Sequence, residues 1–355
     1  MTKNKSLLEL PLKSPSEPYS TLHEYIQGEG GEFALNAFAE DEELILIECA
    51  INYMSMEPNS PIYVHSIFTK VNLPLRPLPP SSRNWRKSDG KLEVVFSSGL
   101  EPKQGSFYSK LAGLPYGAKA RLIIYFICNE VYRTKSCEID LTKSLSKFMK
   151  CIGSKVTGGD TGTIKYFKDQ LRRIARMRVE AIFHDSNHAE ISELGLHGTQ
   201  LWQFADYNRR ENPWPQHLLV NQQFVDSVLK HGLPLDRNAV MLLKNNAFAM
   251  DWYCFLKQRG NGLKEPYMLM WKVLERQLSA DYKRLADFRK SSVKALKLVG
   301  TVFPEAKLIA DEKGITLLPY DPEPAYIKNR KRVEKLDISE QLSDDFLRRL
   351  RSSSE

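Results

Sequence analysis

The sequence has few cysteines and no long apolar run, and these absences exclude several classes of protein. Its 355 residues include five cysteines, and no two of them form a CxxC pair. This usage is typical of a reducing compartment and argues against a disulfide scaffold or a zinc ribbon. No segment approaches the roughly 20 apolar residues of a membrane helix, and the N-terminus has no signal-peptide core. We therefore expect a cytoplasmic protein that is neither exported nor bound to a membrane.

Motifs of phosphate-binding loops and zinc proteases are also missing. The glycine-rich stretch 153–163, GSKVTGGDTGT, has no GK pair, which a Walker loop needs to reach phosphates. His184 and His188 are four residues apart and His197 follows, but the intervening DSN disfavours a helix and the HExxH glutamate is absent. We expect surface histidines there rather than a metal site. The sequence predicts no catalytic activity, no cofactor and no metal.

Positive charge is in excess. The chain carries 51 Lys and Arg against 43 Asp and Glu, a formal net charge of +8. Such a balance attracts polyanions such as nucleic acid or acidic membrane. At 42% hydrophobic residues the chain can bury proper cores, and its length exceeds what one core usually organises. We therefore expect two domains, and the position of the charges must decide the partner.

Composition divides the chain into four parts. Residues 1–40 are polar and poorly patterned, which predicts a flexible N-terminal arm. Residues 41–215 are predicted to form an N-terminal domain with a preceding strand-rich extension. Residues 216–327 are predicted to form a C-terminal domain, and residues 328–355 a charged tail.

Three helical patterns followed by a hairpin pattern make up the first block. Apolar residues recur at helical spacing over 118–134 and 140–153. The stretch Gly158 to Val179 is the third helix, and residues 191–207 alternate and turn as a β-hairpin does. This order is that of a winged helix.

The same order recurs in the second block without detectable sequence identity. Its predicted helices cover residues 234–245, 246–260, 267–278 and 279–303. Its predicted hairpin covers residues 306–320 and turns near Lys313. The predicted fold class is α+β, with two tandem winged-helix domains and a poorly patterned N-terminal extension.

Both third helices carry cations opposite an apolar stripe. Phe167 and Leu171 mark the apolar side in the first block, and Phe288 and Leu296 in the second. Solvated helix faces normally mix both signs, whereas the first cationic face has little negative charge beyond Asp169. The third helix is also the element that enters the major groove in helix-turn-helix proteins. The predicted DNA-binding residues are Lys165, Tyr166, Arg172, Arg173, Arg176, Tyr282, Lys283, Arg284, Lys290 and Lys294.

An ordered series of motifs resembles the plasmid-encoded RepA replication initiator family. The series begins with GLPYGAKARLIIYFICNEVYRTKSCEIDLTKSLSKFMKCIG and TGGDTGTIKYFKDQLRRI, and continues through PLDRNAVMLLKNNAFAMDWYCFLKQR to GITLLP. It covers Leu114 to Pro319. Asn246 and the two residues after it depart from the serine-proline of many members, which changes a helix cap.

The resemblance implies a replication initiator that binds repeated sites, called iterons, in double-stranded DNA at a plasmid origin. It implies opening of an adjacent AT-rich region and recruitment of host replication proteins, which include the host initiator and helicase. Related initiators consist of two winged-helix domains and bind iterons as monomers. They form homodimers that repress their own promoter, which implies a part in copy control.

Two alternatives stay open on the sequence alone. The first is a winged-helix transcriptional repressor, for which footprints on a single inverted repeat would argue. The second is a metal-dependent nuclease or nicking enzyme, which would nick supercoiled plasmid in the presence of magnesium or manganese.

Overall fold

A computed structural model describes most of the chain between Leu22 and Pro319. The described residues are 22–31, 34–35, 41–102, 109–141, 147, 150, 163–183, 202–205, 217–260, 262–278 and 282–319. Across these ranges no helix has the length and apolar character needed to cross a bilayer.

The described elements are ten helices and thirteen short strands. The helices are α1 (Leu22–Glu29), α2 (Asp41–Ser55), α3 (Ile67–Lys70), α4 (Gly117–Thr134), α5 (Thr163–Ile174), α6 (Gln222–His231), α7 (Arg237–Leu243), α8 (Ala247–Gly260), α9 (Trp271–Leu278) and α10 (Leu285–Gly300). The strands are β1 (Ile62–His65), β2 (Asn84–Ser88), β3 (Leu92–Ser97), β4 (Leu100–Pro102), β5 (Ser109–Leu111), β6 (Glu138–Asp140), β7 (Arg178–Phe183), β8 (Trp202–Ala205), β9 (His217–Val220), β10 (Gly232–Leu235), β11 (Tyr267–Met270), β12 (Leu308–Ala310) and β13 (Gly314–Leu317).

The strands pair in small antiparallel sheets. Three sheets have three strands each, in the orders β2-β3-β7, β6-β9-β8 and β11-β13-β12, and two further sheets are the pairs β1-β10 and β4-β5. Each small sheet leaves a face for a helix to cover, which is typical of mixed α/β domains. The predicted α+β class agrees with this architecture.

The chain divides into two compact units, and each is discontinuous in sequence. The C-terminal unit combines residues up to Ser60 with residues 236–275 and those from Asp281 onward. The N-terminal unit combines residues 61–235 with residues 276–280. Residues 41–60, which the sequence pattern placed with the N-terminal half, therefore belong to the other unit.

The N-terminal helices of the C-terminal unit pack as part of a core. Leu22 and Ile26 of α1 are buried against Ile47, Ile51 and Met54 of α2. This differs from the flexible arm predicted for residues 1–40, because the two apolar residues four apart form one helix face that α2 covers. A short apolar stripe inside a polar segment gave too weak a pattern to predict the helix.

α4 is the central helix of the N-terminal unit. Phe126 and Val131 are fully buried, in agreement with the helix predicted from their spacing. The helix ends at Thr134 and is capped by Lys135, whose φ of 56° lies in the left-handed region and whose N–H donates to Val131 O at 2.8 Å. Arg121 is also buried, and its guanidinium donates to Leu73 O at 2.7 Å.

Aromatic side chains form much of the core of the C-terminal unit. Trp252 and Phe255 of α8 and Phe288 of α10 are fully buried. The ring of Trp271, the first residue of α9, meets Phe288 edge to face at 6.2 Å between centroids. Offset and edge-to-face ring pairs stabilise a core beyond the area that they bury. Such pairs join α8 to α10 and α9 to α10.

Two of the predicted helices have different bounds in the structure. The prediction of one helix over 267–278 is wrong for its first four residues, which form β11 because they pair with β13. The long helix predicted over 279–303 is α10 and begins only at Leu285. The hairpin of β12 and β13 is confirmed, and Asp311 Oδ1 accepts from the N–H groups of Lys313 and Gly314 in its turn.

The predicted third helix of the first block is shorter than its pattern. α5 ends at Ile174, and Arg178 already lies in β7, which pairs with β3. Most of the predicted helix 140–153 and of the predicted hairpin 191–207 lie outside the described residues. Trp202–Ala205 of that hairpin is a strand, β8, and pairs with β9.

Candidate nucleic-acid interface

The arginines of α5 turn toward their own unit. Asp169 is the acidic residue of this helix, and its carboxylate accepts from Arg172 Nη2 at 2.8 Å and from Arg173 Nε at 2.7 Å. Arg172 Nη1 also binds Glu101 Oε2 of β4, and Arg176 Nη1 donates to Leu100 O at 2.9 Å. The predicted cationic face is therefore largely occupied by contacts within the protein.

Asp169 keeps its negative charge in this arrangement. Burial alone would raise the pKa of its carboxyl, but the hydrogen bonds from Arg172 and Arg173 outweigh that effect and lower the pKa below its ordinary value. The charge of the pair of arginines is thus offset by Asp169 and by Glu101. The expectation of little acid on this face missed Glu101, because that residue lies 71 positions from Arg172 in the sequence.

The LPYG segment, Leu114 to Gly117, contacts the same face of α5. Tyr116 N–H donates to Gln170 Oε1 at 2.9 Å, and the Arg173 guanidinium lies over the Tyr116 ring at 5.3 Å. Gly113 has a φ of 80°, and a Cβ there would collide with the Arg173 guanidinium. The motif thus has a structural role, since it forms the surface on which α5 docks.

Tyr166 is packed rather than presented to solvent. Its ring meets Tyr116 edge to face at 5.8 Å, and its hydroxyl would lie 3.0 Å from a Cβ on Gly117. Burial is the main cause that raises the pKa of Tyr166. The exposed cations of α5 are Lys165 and Lys168 instead. Lys168 was not among the predicted residues, although it lies one turn from Lys165 on the same side.

α10 carries its cations on an exposed side. Lys290 and Lys294 are exposed and lie one turn apart, and Lys283 is exposed just before the helix. The opposite side buries Phe288 and Leu296, as the sequence pattern predicted. The exposed residues Lys283, Lys290 and Lys294 are named the α10 cationic stripe here.

One acidic residue lies on α10, and it pairs locally. Asp287 accepts from Arg284 Nε at 2.8 Å and from Nη2 at 2.7 Å, and this bidentate contact lies at the surface. The hydrogen bonds from Arg284 lower the pKa of Asp287. α10 therefore keeps a net positive charge even after this pair is counted.

Two aromatic residues border the start of α10. Tyr282 is half-buried, with its ring 6.1 Å from Phe248 and 5.8 Å from Phe288. The guanidinium of Arg289 lies 5.8 Å from the ring of Trp271, whose Nε1 donates to Asp311 O at 2.9 Å. Arg289 was not among the predicted DNA-binding residues, because on a helical wheel of α10 it lies beside the cationic stripe. Its contact connects α10 to the turn between β12 and β13.

His184, His188 and His197 lie outside the described residues. Over the part of the chain that the structure does describe, no three His, Cys, Asp or Glu side chains are grouped so as to hold a metal ion.

Comparison with known proteins agrees with the sequence resemblance. Residues 114–272 match the family described as "Plasmid encoded RepA protein". The resemblance to RepA proteins is therefore confirmed over this range. No curated protein sequence matches the chain. A crystal structure of domains 2 and 3 of RctB is similar at a TM-score of 0.43 and 10% identity, covering 71% of this chain and 97% of that one.

Proposed function

We propose that the protein is a plasmid replication initiator that binds repeated double-stranded DNA sites at the origin. The match of residues 114–272 to plasmid-encoded RepA proteins is the observation that carries this proposal. The net charge of +8 supports a polyanionic partner. Opening of the DNA, recruitment of the host initiator and helicase, and repression by a homodimer belong to the same proposal.

The order of elements in the C-terminal unit supports a winged helix. α8, β11, α9 and α10 are followed by the hairpin of β12 and β13, and the sheet has the order β11-β13-β12. In this proposal α10 is the recognition helix, which enters the major groove. The hairpin is the wing, and Arg289 and Trp271 hold it near the helix.

A second winged helix in the N-terminal unit has weaker support. α4 and α5 are both present there, and the sheet β6-β9-β8 repeats the strand order of the other unit. α5 differs from α10, because β7 follows it and pairs with β3 rather than with the hairpin. We therefore propose that α10 makes the larger contribution to DNA affinity.

The proposed contacts separate phosphate binding from base recognition. Lysines bind phosphates as flexible point charges, so the α10 cationic stripe is assigned to the DNA backbone. Arg284 is exposed and can exchange Asp287 for a phosphate or a guanine edge, which a guanidinium binds in a bidentate manner. Tyr282 is half-exposed and can contact the backbone or a thymine methyl.

For α5 we propose fewer DNA-binding arginines than the sequence predicts. Lys165 and Lys168 are exposed and are assigned to phosphates. Arg172, Arg173 and Arg176 hold α5 against residues 100–116, and we assign them no contact with DNA. Releasing them would remove the arginine contacts of Asp169, which is half-buried, and of Glu101, which is buried, and that is costly.

In this proposal the protein binds DNA and has no catalytic activity of its own. Supercoiled plasmid should therefore stay intact when it is incubated with the protein and magnesium or manganese.

Footprinting on the DNA that flanks the gene tests the proposal directly. Protection of tandem direct repeats is expected, and a single protected inverted repeat would indicate a repressor instead. A labelled duplex carrying one protected repeat then serves for anisotropy titrations at several salt concentrations. In the variant Lys290→Ala/Lys294→Ala the slope of log K against log salt should be shallower by about 2, since each lost phosphate contact lowers the steepness of this slope by about 0.9.

A matched control keeps the number of removed charges the same. Lys91 and Lys230 are exposed and lie in the N-terminal unit. Lys91→Ala/Lys230→Ala should leave the salt dependence unchanged. If both double variants flatten it equally, net charge rather than α10 determines binding, and the assignment of α10 fails.

A further inference from the structure

A proline-rich segment before β2 lies on the surface of the N-terminal unit. Residues 74–80 read PLRPLPP, and Pro77, Pro79 and Pro80 are exposed. From Arg76 to Pro80 every residue is a proline or directly precedes one, which restricts the backbone to extended and polyproline II conformations. The segment therefore favours a short polyproline II helix, which has no internal hydrogen bonds. The DNA contact proposed above does not use it.

Burial along the segment follows the repeat of a polyproline II helix. Such a helix has three residues per turn, so residues three apart share an edge. Leu75 and Leu78 form one edge, and both are half-buried. The other two edges are exposed and consist of Arg76 with Pro79, and of Pro77 with Pro80. One edge therefore packs on the protein, while the two edges that carry the prolines of residues 76–80 are presented to solvent.

Hydrogen bonds hold the segment at both ends. The buried guanidinium of Arg121 donates to Leu73 O at 2.7 Å and to Pro74 O at 3.3 Å. At the other end Ser82 N–H donates to Pro79 O at 2.9 Å and closes a turn. A ligand that is ordered before it binds loses less conformational entropy in the complex than a flexible peptide does. The proline-rich segment is thus preorganised as a ligand.

The exposed prolines indicate the chemistry of the partner. Pro77 and Pro80 are three residues apart, which places them about 9 Å apart along a polyproline II helix. Proline has no backbone N–H to donate, so recognition of such a segment relies on packing against its rings. Grooves that bind polyproline II segments are accordingly lined by aromatic side chains.

We propose that residues 76–80 bind as a polyproline II ligand in a groove of a partner protein that is lined by aromatic side chains. Pro77 and Pro80 enter the groove, while Leu75 and Leu78 keep the segment on the N-terminal unit. The proposal goes beyond the DNA contact and uses none of the residues assigned to DNA. A segment of this kind would let the protein recruit a second protein while its DNA-binding residues are occupied.

Two small domains with aromatic-lined grooves serve as probes. An SH3 domain and a WW domain both bind proline-rich segments in this manner. Each domain is labelled with fluorescein and titrated with the full chain, and binding is followed by anisotropy. We expect at least one of them to bind saturably. The same domain with its groove tryptophan replaced by alanine should bind at least about tenfold more weakly, because the ring that packs on proline is lost.

Variants of the protein locate the site. Pro77→Ala/Pro80→Ala removes both rings from one exposed edge and should weaken binding of the domain by at least about tenfold. Pro266→Ala/Pro319→Ala is the matched control, because both prolines are exposed and lie in the other unit. It should bind the domain as the wild type does. Thermal unfolding shows that each variant is folded, and the domain titration does not depend on whether the protein binds DNA.

Three outcomes would overturn the inference. The first is a wild-type protein that binds neither domain, and the second is equal affinity of the two double proline variants for the domain. The third is self-association of the wild type in sedimentation that Pro77→Ala/Pro80→Ala abolishes, which would assign the segment to a second copy of the chain.

Discussion

Arg173 donates from Nε to Asp169 Oδ2 at 2.7 Å, one turn earlier on the same helix. Arg172 donates to the other oxygen of this carboxylate at 2.8 Å. A single acid therefore orients two arginines, and these reach onward to Glu101 of β4 and to Leu114 O. Arg172 and Arg173, which the sequence predicts to bind DNA, thus make contacts that hold α5 on its own unit.

Asp169→Asn should destabilise the protein. The amide loses the charge that both arginines bind in a half-buried site, and hydrogen bonds between charged groups contribute about 1.5–3 kcal/mol each. Because solvent screens this site in part, we expect a loss of about 1–2 kcal/mol in the free energy of unfolding. Urea denaturation measures it.

Asp287→Asn is the matched control for that substitution. Asp287 pairs with an arginine at the i−3 position, but its side chain is 43% exposed, compared with 31% for that of Asp169. Its replacement should leave the free energy of unfolding nearly unchanged. Equal losses in the two variants would show that burial does not strengthen the Asp169 contacts.

Arg173→Ala separates a structural role from a DNA contact. The guanidinium packs on Tyr116 and binds Asp169, so the variant should lose about 1–2 kcal/mol of stability. The salt dependence of DNA affinity should stay that of the wild type, in contrast to Lys290→Ala/Lys294→Ala. A flatter salt dependence with unchanged stability would restore Arg173 to the DNA contact.

Local sequence patterns predicted the helices and strands more reliably than they predicted which other elements these pack against. The helix around Phe126, the apolar side of α10 and the β12–β13 hairpin follow from spacing and turn residues, and the structure has all three. Asn246 replaces a residue of the family pattern, yet its Oδ1 accepts from Ala249 N–H at 2.9 Å and caps α8. Such features depend on residues a few positions apart.

The differences arise where distant residues meet. β11 was assigned to a helix because its pairing with Thr316 and its neighbours is invisible in a window of a few residues. Likewise the cations of α5 and α10 look alike in sequence, and the contacts that the α5 arginines make with Asp169 and Glu101 distinguish the two faces in the structure. A helical wheel drawn from the sequence shows which residues share one side of a helix, but it does not show which other residues cover that side.

His65 should make stability depend on pH. Its Nδ1 accepts from Ile67 N–H at 3.1 Å, so Nε2 carries the proton and donates to Ser227 Oγ at 2.8 Å. Burial, with His231 and Lys70 nearby, lowers the pKa of His65 from 6.5 to about 3. The folded state therefore holds the neutral ring, while the unfolded chain binds a proton below pH 6.5.

The contribution of His65 is complete above pH 6.5 and is lost as the pH falls from there toward 3. Between pH 7 and 5 the loss should reach about 2 kcal/mol, since the slope is about 1.4 kcal/mol per pH unit. Urea denaturation of the wild type and of His65→Gln at both pH values isolates this residue. If the two proteins lose the same stability over that range, other groups account for the acid sensitivity.

Gly113→Ala should combine backbone strain with a steric conflict. Gly113 has a φ of 80°, and an added Cβ would meet the Arg173 guanidinium. Gly90 has a similar φ of 96° but open space around its Cβ position. Gly90→Ala therefore carries the strain alone, about 1–2 kcal/mol, and Gly113→Ala should cost more. The difference between the two variants measures the contact with Arg173.

The double variant Gly113→Ala/Arg173→Ala tests whether that contact is the cause. With the guanidinium removed, the added methyl finds space, so the two losses should not add. We expect the double variant to be more stable than the sum of the single losses by about 0.5–3 kcal/mol, the range seen for residues in contact. Additive losses would mean that the Arg173 guanidinium does not pack against Gly113. The glycine before the LPYG segment would then be required for another reason.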